Sequence, residues 1–220
     1  MLKDLLDEIK RLFKGNTIDA ILPPFVYVVA NRIVELPYAV TASIFSAIIL
    51  GFIRVRLKGS LKYLGFGILG VVFASGIALL SKNASNFFLP KLLSSIGLAL
   101  ISTLTLIIKK PLAAILSHIS RGWDLNWYLR ADVRPAYSEV TLFWLLLFCL
   151  RGALQATLLF NQNIEALFII NTLLGAPVTL IILSISYIYG IWRLRKLGGP
   201  SVDEFINNEP KPWKGQTKGF

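Results

Sequence analysis

The chain has 220 residues, of which 55% are hydrophobic and only 16% charged, and its mean hydropathy is +0.66. A soluble domain carries about 25% charged residues, so the composition excludes an ordinary soluble domain and leaves room for a single membrane bundle. The net charge of +11 fits Lys and Arg facing anionic headgroups better than it fits nucleic acid, and one cysteine (Cys149) with one histidine (His118) excludes a disulfide framework and any multi-histidine or multi-cysteine metal site within the chain.

Residues 1–16 read as a separate amphipathic helix. Leu2, Leu5, Leu6, Ile9, Leu12 and Phe13 share one helical face. Acidic residues come first and basic ones last, which suits the helix dipole, and Gly15-Asn16 is a stop signal. Too short to span, this element is expected in the interface. A cleavable signal peptide is not expected, because the opening residues are densely charged.

Six apolar runs follow, near residues 17–34, 38–53, 61–80, 88–108, 140–160 and 164–192, each judged against the roughly 20 residues that a spanning helix needs. Pro23 and Pro24 predict a break in the first, Pro90 falls in the first turn of the fourth, and Gly175 with Pro177 predicts a kink in the last. Leu22-Pro23 and Leu89-Pro90 open two runs of opposite direction, as an inverted repeat would. With the N-terminus cytoplasmic, nineteen of the 23 Lys and Arg fall inside, Arg32, Lys82 and Lys91 fall outside, and Arg151 lies within a span. That asymmetry predicts six spans with both termini cytoplasmic. The chain then divides into the helix 1–16, a six-helix membrane domain over 17–196 and a cytoplasmic tail over 197–220.

Residues 109–138, between the fourth and fifth runs, read as a cytoplasmic collar. Lys109 and Lys110 face headgroups, and Pro111 can start a helix because its missing N–H is not needed there. Over 111–121, Leu112, Ile115, Leu116 and Ile119 share an apolar face. Trp123, Trp127 and Tyr128 are expected in a headgroup-level belt, and Arg134 and Tyr137 complete the collar. In the tail, Ser201 and Glu204 have capping-box spacing, predicting a short helix near 202–208. The final residues are expected to be poorly ordered unless a partner holds them.

Three motifs have bland readings. Gly65-Phe66-Gly67-Ile68-Leu69-Gly70 fits G-x-G-x-x-G, but inside an apolar helix it predicts close packing through small residues, a row continued by Ala74 and matched by Ser43 and Ala47. Asn83-Ala84-Ser85 is a glycosylation sequon of the kind that arises by chance. His118 is expected at the aqueous edge of the collar helix.

The informative charge is Arg151, deep in the fifth run, where a charge costs at least about 2.5–3.5 kcal/mol. Thr141, Trp144, Phe148, Arg151 and Gln155 form one stripe at steps of three or four. Leu142, Leu146, Ala153 and Phe160 lie opposite. The expected acceptors for Arg151 are carbonyls freed at Pro23, Pro24 or Pro177, with Asp19, Glu35 and Glu165 as candidate charge partners. No spacing of carboxylates, nucleophiles or phosphate-binding glycines argues catalysis, so no enzyme activity, cofactor or metal is expected.

The order and spacing of Leu22-Pro23 with Phe25-Val26, Phe87-Phe88-Leu89-Pro90, Lys109-Lys110-Pro111-Leu112, Arg134-Pro135-Ala136-Tyr137, Thr141, Trp144, Arg151 and Gln155 resemble a bacterial family of multi-pass membrane proteins, common in actinobacteria, that is known only as a domain of unknown function. More distantly the chain resembles intracellular septation protein A, from which it departs in its charged N-terminal helix and longer tail. The resemblance implies an inner-membrane protein without established enzymatic activity, working through other membrane proteins in the cell envelope. Two functions are expected on these grounds: a non-catalytic scaffold or accessory subunit, and alternatively a small-solute transporter or channel with its polar site at Arg151 and Gln155.

Overall fold

The computed structural model describes residues 16–56 and 61–220, so the predicted helix over 1–16 lies almost wholly outside the described residues. Every described element is helical: α1 (Asn16–Asn31), α2 (Leu36–Arg56), α3 (Leu61–Leu80), a 3₁₀ turn (Ala84–Phe88), α4 (Leu89–Ile107), α5 (Leu112–Arg121), α6 (Leu125–Tyr128), α7 (Arg134–Phe160), α8 (Ile164–Leu173), α9 (Ala176–Leu197) and α10 (Val202–Ile206). Four stretches among them are long and apolar enough to cross a membrane: Leu36–Ile53, Ala84–Ile107, Arg134–Phe160 and Ile164–Leu197. Ala20–Asn31 and Gly65–Leu80 are apolar over shorter lengths. The 16 residues of α1 measure about 24 Å, less than the roughly 30 Å hydrocarbon core.

The surface is unlike that of a water-soluble domain. Leu80, Phe160 and Phe66 are 89%, 83% and 76% exposed, whereas Ser43, Ser75 and Ser102 are buried. Along α4 the buried positions are Leu92, Ser95, Ser102 and Thr105, one helical face, and Leu100, Leu104 and Ile107 point out. Small hydroxyl residues facing inward and large apolar ones facing outward are what hydrocarbon solvent selects. Ser102 and Thr105 satisfy their hydroxyls on backbone oxygens of their own helix, at 2.7 and 2.9 Å.

The chain forms two compact units. One takes the described residues up to Leu93 together with Ala153–Val178, and the other takes Ser94–Gly152 and Thr179–Phe220. In the first, α1 packs on α2 and α8, and α2 packs on α3. Its core holds Tyr27, Val28, Ala39, Val40, Ala74, Ala78, Phe87, Phe88 and Leu167. Tyr27 stacks on Phe87 at 4.1 Å and donates to the Ala84 carbonyl at 2.7 Å.

Several expectations change here. The prolines do not break the first helix: α1 continues through Pro23 and Pro24. Proline's φ is compatible with a helix, and the bonds it forgoes are those to the carbonyls four residues earlier; separately, Ser43 of α2 donates to the Pro23 carbonyl at 3.0 Å and ties the two helices together there. Pro23 thus lies inside α1, whereas Pro90 is the second residue of α4, so the two Leu-Pro pairs do not occupy matching positions. The Gly65–Gly70 motif is not a packing seam either. A Cβ at Gly65, Gly67 or Gly70 would meet nothing within 4 Å, and the buried small residues of α3 begin at Ala74, Ser75 and Ala78. Asn83 caps the 3₁₀ turn by accepting the Ser85 N–H at 2.9 Å. The kink in the last run is a full interruption at Leu174 and Gly175 between α8 and α9. A Cβ at Gly175 would sit 2.9 Å from the Asn171 oxygen.

The second unit holds a core of Ala113, Ala114, Trp127, Tyr128, Val133, Ala136, Tyr137, Val140, Leu194 and Val202. Trp127 and Tyr128 are fully buried, so they form part of a folded interior and not a headgroup-level belt. The rings meet edge to face, Trp127 with Tyr128 at 5.0 Å and Tyr128 with Tyr137 at 5.1 Å, a favoured aromatic geometry. α5 turns its small residues Ala113, Ala114 and Ser117, with Leu112, onto this core and leaves Leu116 and Ile119 exposed.

Candidate functional site

α7 is a 27-residue helix, about 40 Å long, with Arg151 about 13 Å from its Phe160 end. Arg151 is half-buried on the face that also carries Thr141, Trp144, Phe148 and Gln155, and Leu142, Leu146, Ala153 and Phe160 are exposed. Next to it Gly152 is buried, and a Cβ there would lie 3.8 Å from the Cβ of Ser95, so α4 and α7 meet through small residues within the second unit.

Gln155, Trp144 and Thr141 each hydrogen-bond across to another element. Gln155, in the first unit, is buried and donates through Nε2 to Asn171 Oδ1 at 2.6 Å, and Asn171 Nδ2 donates to the Leu167 carbonyl at 2.8 Å. In the second unit, Trp144 Nε1 donates to Ser186 Oγ at 2.8 Å, and Ser186 donates to the Ile182 carbonyl at 2.7 Å. Buried Thr141 donates to the Tyr137 carbonyl at 2.8 Å and accepts the Ala113 N–H at 3.1 Å. Pro111, the cap residue of α5, makes no side-chain capping bond, so the Thr141 hydroxyl takes over that role from another helix.

Of the proposed charge partners, Glu165 pairs with Arg32, whose Nε donates to its carboxylate at 2.5 Å. Glu35 is exposed just before α2, the side chain of Asp19 lies outside the described residues, and Pro177 is exposed in the first turn of α9. Lys109 and Lys110 are exposed, Arg134 is half-buried and Tyr137 is buried. His118 is tied inward, its Nδ1 lying 2.5 Å from the Trp123 carbonyl.

Sequence reading missed three arrangements. Glu139 holds Arg193 through parallel bonds, Oε1 to Nη2 at 2.7 Å and Oε2 to Nε at 2.8 Å, and accepts the Tyr189 hydroxyl at 2.7 Å. Asn171 is the partner of Gln155; an amide inside an apolar run was its signal, the same that marks Gln155. The third is the seating of the tail. Glu204 accepts the N–H groups of Ser201 at 2.7 Å, Lys214 at 2.6 Å and Gly215 at 3.1 Å, and Ser201 caps Glu204 in return. The Ser201 N–H foremost, with those of Lys214 and Gly215, lowers the Glu204 carboxyl to about 2 against the opposing effect of burial. Arg130 is bidentate to Asp132 at 2.9 and 2.8 Å and lies over the rings of Phe205 at 5.7 Å and Trp213 at 5.2 Å. That hydrogen-bonded guanidinium holds the Asp132 carboxyl below its usual range. Trp127 Nε1 donates to the Pro200 carbonyl at 2.9 Å.

Among the described residues no three His, Cys, Asp or Glu side chains come together as a metal site would require. The chemistry on display is hydrogen bonding and ion pairing that fixes helix against helix and tail against collar. No curated protein and no solved structure matches the chain. Residues 14–195 match the family described as "Protein of unknown function (DUF3159)". That match takes in α1 through nearly all of α9 and with it every element that carries the intramembrane stripe, and the chain therefore belongs to this family.

Proposed function

We propose that the protein is a non-catalytic scaffold or accessory subunit of a bacterial inner-membrane or cell-envelope complex, with six spans and both termini cytoplasmic. The observation that carries this reading is the collar and tail, which build a folded aromatic interior at one end of the α7 and α9 helices. The exposed Leu116 and Ile119 and the exposed Lys109 and Lys110 suit anionic headgroups and the flank of another membrane protein. A role exerted through partners is also what kinship with intracellular septation protein A would imply, and neither nucleic acid nor a cofactor enters this reading. The shorter apolar stretches of α1 and α3 fit as the first and third spans if they pack against neighbours or locally thin the bilayer.

A photo-crosslinking residue at Leu116 or Ile119 in cells tests it. A discrete protein adduct at these positions, absent when the same residue is placed at Leu146, supports the scaffold. Lipid adducts alone at every position would refute it. Transport is the alternative, favoured by the buried Gln155–Asn171 amide pair beside the helix interruption at Leu174 and Gly175. Uptake of a labelled small solute by proteoliposomes, lost in Gln155→Leu, would favour that reading instead. For orientation, cysteines at positions 58, 83, 161 and 214 serve: 58 and 214 should label from the cytoplasmic side, 83 and 161 from the other.

A further inference from the structure

The tail of the second unit has a fixed root and a tip of different character. The root is the Glu204 cluster, the Trp127–Pro200 bond and the Arg130 sandwich. Beyond Gly215, at φ +76°, the chain contains no helix, and Thr217 and Lys218 are exposed. It ends with the half-buried Phe220 ring in a slot of the same unit. One wall is Tyr137, parallel to the ring at 4.2 Å and 4°. A second contact is the α9 backbone at Gly190, where any Cβ would overlap the ring. Gly219, at φ +82°, passes so near Trp123 that a Cβ there would lie 2.5 Å from the indole. The Gly219 N–H donates to Tyr187 Oη at 3.1 Å, and Arg121 Nε donates to the Phe220 backbone oxygen at 3.1 Å. The site therefore selects for three things at once: a flat ring, a glycine before it, and a backbone oxygen facing a guanidinium.

We propose that this slot is a recognition site for a glycine–aromatic peptide segment, and that Phe220 is its displaceable occupant in cis, so that the tail tip competes with a partner polypeptide of the same chemistry. The inference stands apart from the scaffold reading, since a transporter could be gated by the same contact. The asymmetry of the tail supports exchange. The root is held by charge-assisted bonds and cation–π contacts, and buried Gln216 belongs to it, its Oε1 accepting the Val202 N–H at 3.1 Å. Beyond Gln216 the tip is held by one stacked ring and a few neutral or exposed bonds, and it can swing about Thr217 and Lys218 while the Glu204 cluster stays closed.

The test uses the full-length protein in nanodiscs and a fluorescein-labelled peptide, Lys-Gly-Gln-Thr-Lys-Gly-Phe, equal in sequence to residues 214–220. Phe220→Ala empties the slot and should bind the peptide at least tenfold tighter than wild type does, with the Ala-ended peptide binding neither protein. Equal binding to wild type and variant, no binding to either, or equal binding of the Ala-ended peptide would overturn the proposal. A second measurement needs no added ligand. Gly190→Ala should expel the ring and speed tryptic cleavage after Lys218 severalfold, with cleavage after Arg130 unchanged. Unchanged cleavage after Lys218 in both Gly190→Ala and Phe220→Ala would also overturn it, as would protection of Lys218 seen only in oligomers, which would make the occupant a second copy's tail.

Discussion

Thr141 of α7 accepts the Ala113 N–H of α5 at 3.1 Å, so the collar helix takes its N-terminal cap from a residue 28 positions away. Thr141→Val keeps the shape, removes the acceptor and leaves a buried N–H unsatisfied, at a cost of about 1–3 kcal/mol. Amide exchange over residues 113–121 should accelerate in Thr141→Val and stay near wild type in Thr141→Ser. Equal exchange in all three proteins would remove Thr141 from this role.

The Gln155–Asn171 amide pair should couple energetically. Interhelical polar contacts in membrane proteins are worth about 0.6–2 kcal/mol. In a double-mutant cycle with Gln155→Leu and Asn171→Leu, read by thermal unfolding in a fixed detergent, the double change should destabilise by less than the sum of the two single changes. Additive effects would mean that the pair contributes nothing as a pair.

Glu139 and Arg193 form a bidentate pair whose side chains remain 34% and 25% exposed. Partial exposure limits the expected coupling to about 1 kcal/mol or less. Arg193→Lys, which loses the fork, should recover only part of the stability lost in Arg193→Gln. Full recovery by lysine would show that charge alone matters there.

The Glu204 site predicts a pH dependence. Its folded carboxyl titrates at about 2, below the roughly 4.3 of an unfolded chain. A depressed folded value stabilises above the unfolded value, and that stability is lost as pH falls from about 4.3 toward 2. Protection of the Lys214 and Gly215 amides, corrected for intrinsic exchange, should therefore fall over that window. Glu204→Gln should show reduced protection at pH 7 and no further loss on acidification. A pH-independent wild type would contradict this account.

The helices themselves were largely legible in the sequence. Apolar runs located α2, α3, α4 and α7, Pro111 marked the start of the collar helix, and Ser201 with Glu204 marked α10, because these signals are local. What lies across from a helix face is not local. Periodicity placed Gln155 and Thr141 on an inward stripe but could not say that Asn171 or the Ala113 N–H waited opposite. Glu139 and Arg193 are 54 residues apart, and no local signal links them. The collar misled for a further reason: a belt at the headgroups and a buried aromatic interior draw on the same Trp and Tyr residues, and only packing distinguishes them. The double proline of α1 was read from its missing donors, whereas the packing that surrounds the helix comes from α2 and α8.

The apolar outer faces of these helices fix what such a chain loses first. A soluble protein spends most of its large apolar side chains on its own interior. Here many of them face outward, beyond the two aromatic cores, so the surrounding acyl chains supply part of the cohesion between helices. Stripping those chains away leaves each helix with its backbone bonds intact but its neighbours weakly attached. Under delipidation the far-ultraviolet signature should therefore outlast tertiary contacts such as Trp144 with Ser186, and a well-matched short-chain lipid should restore them without any refolding of helices.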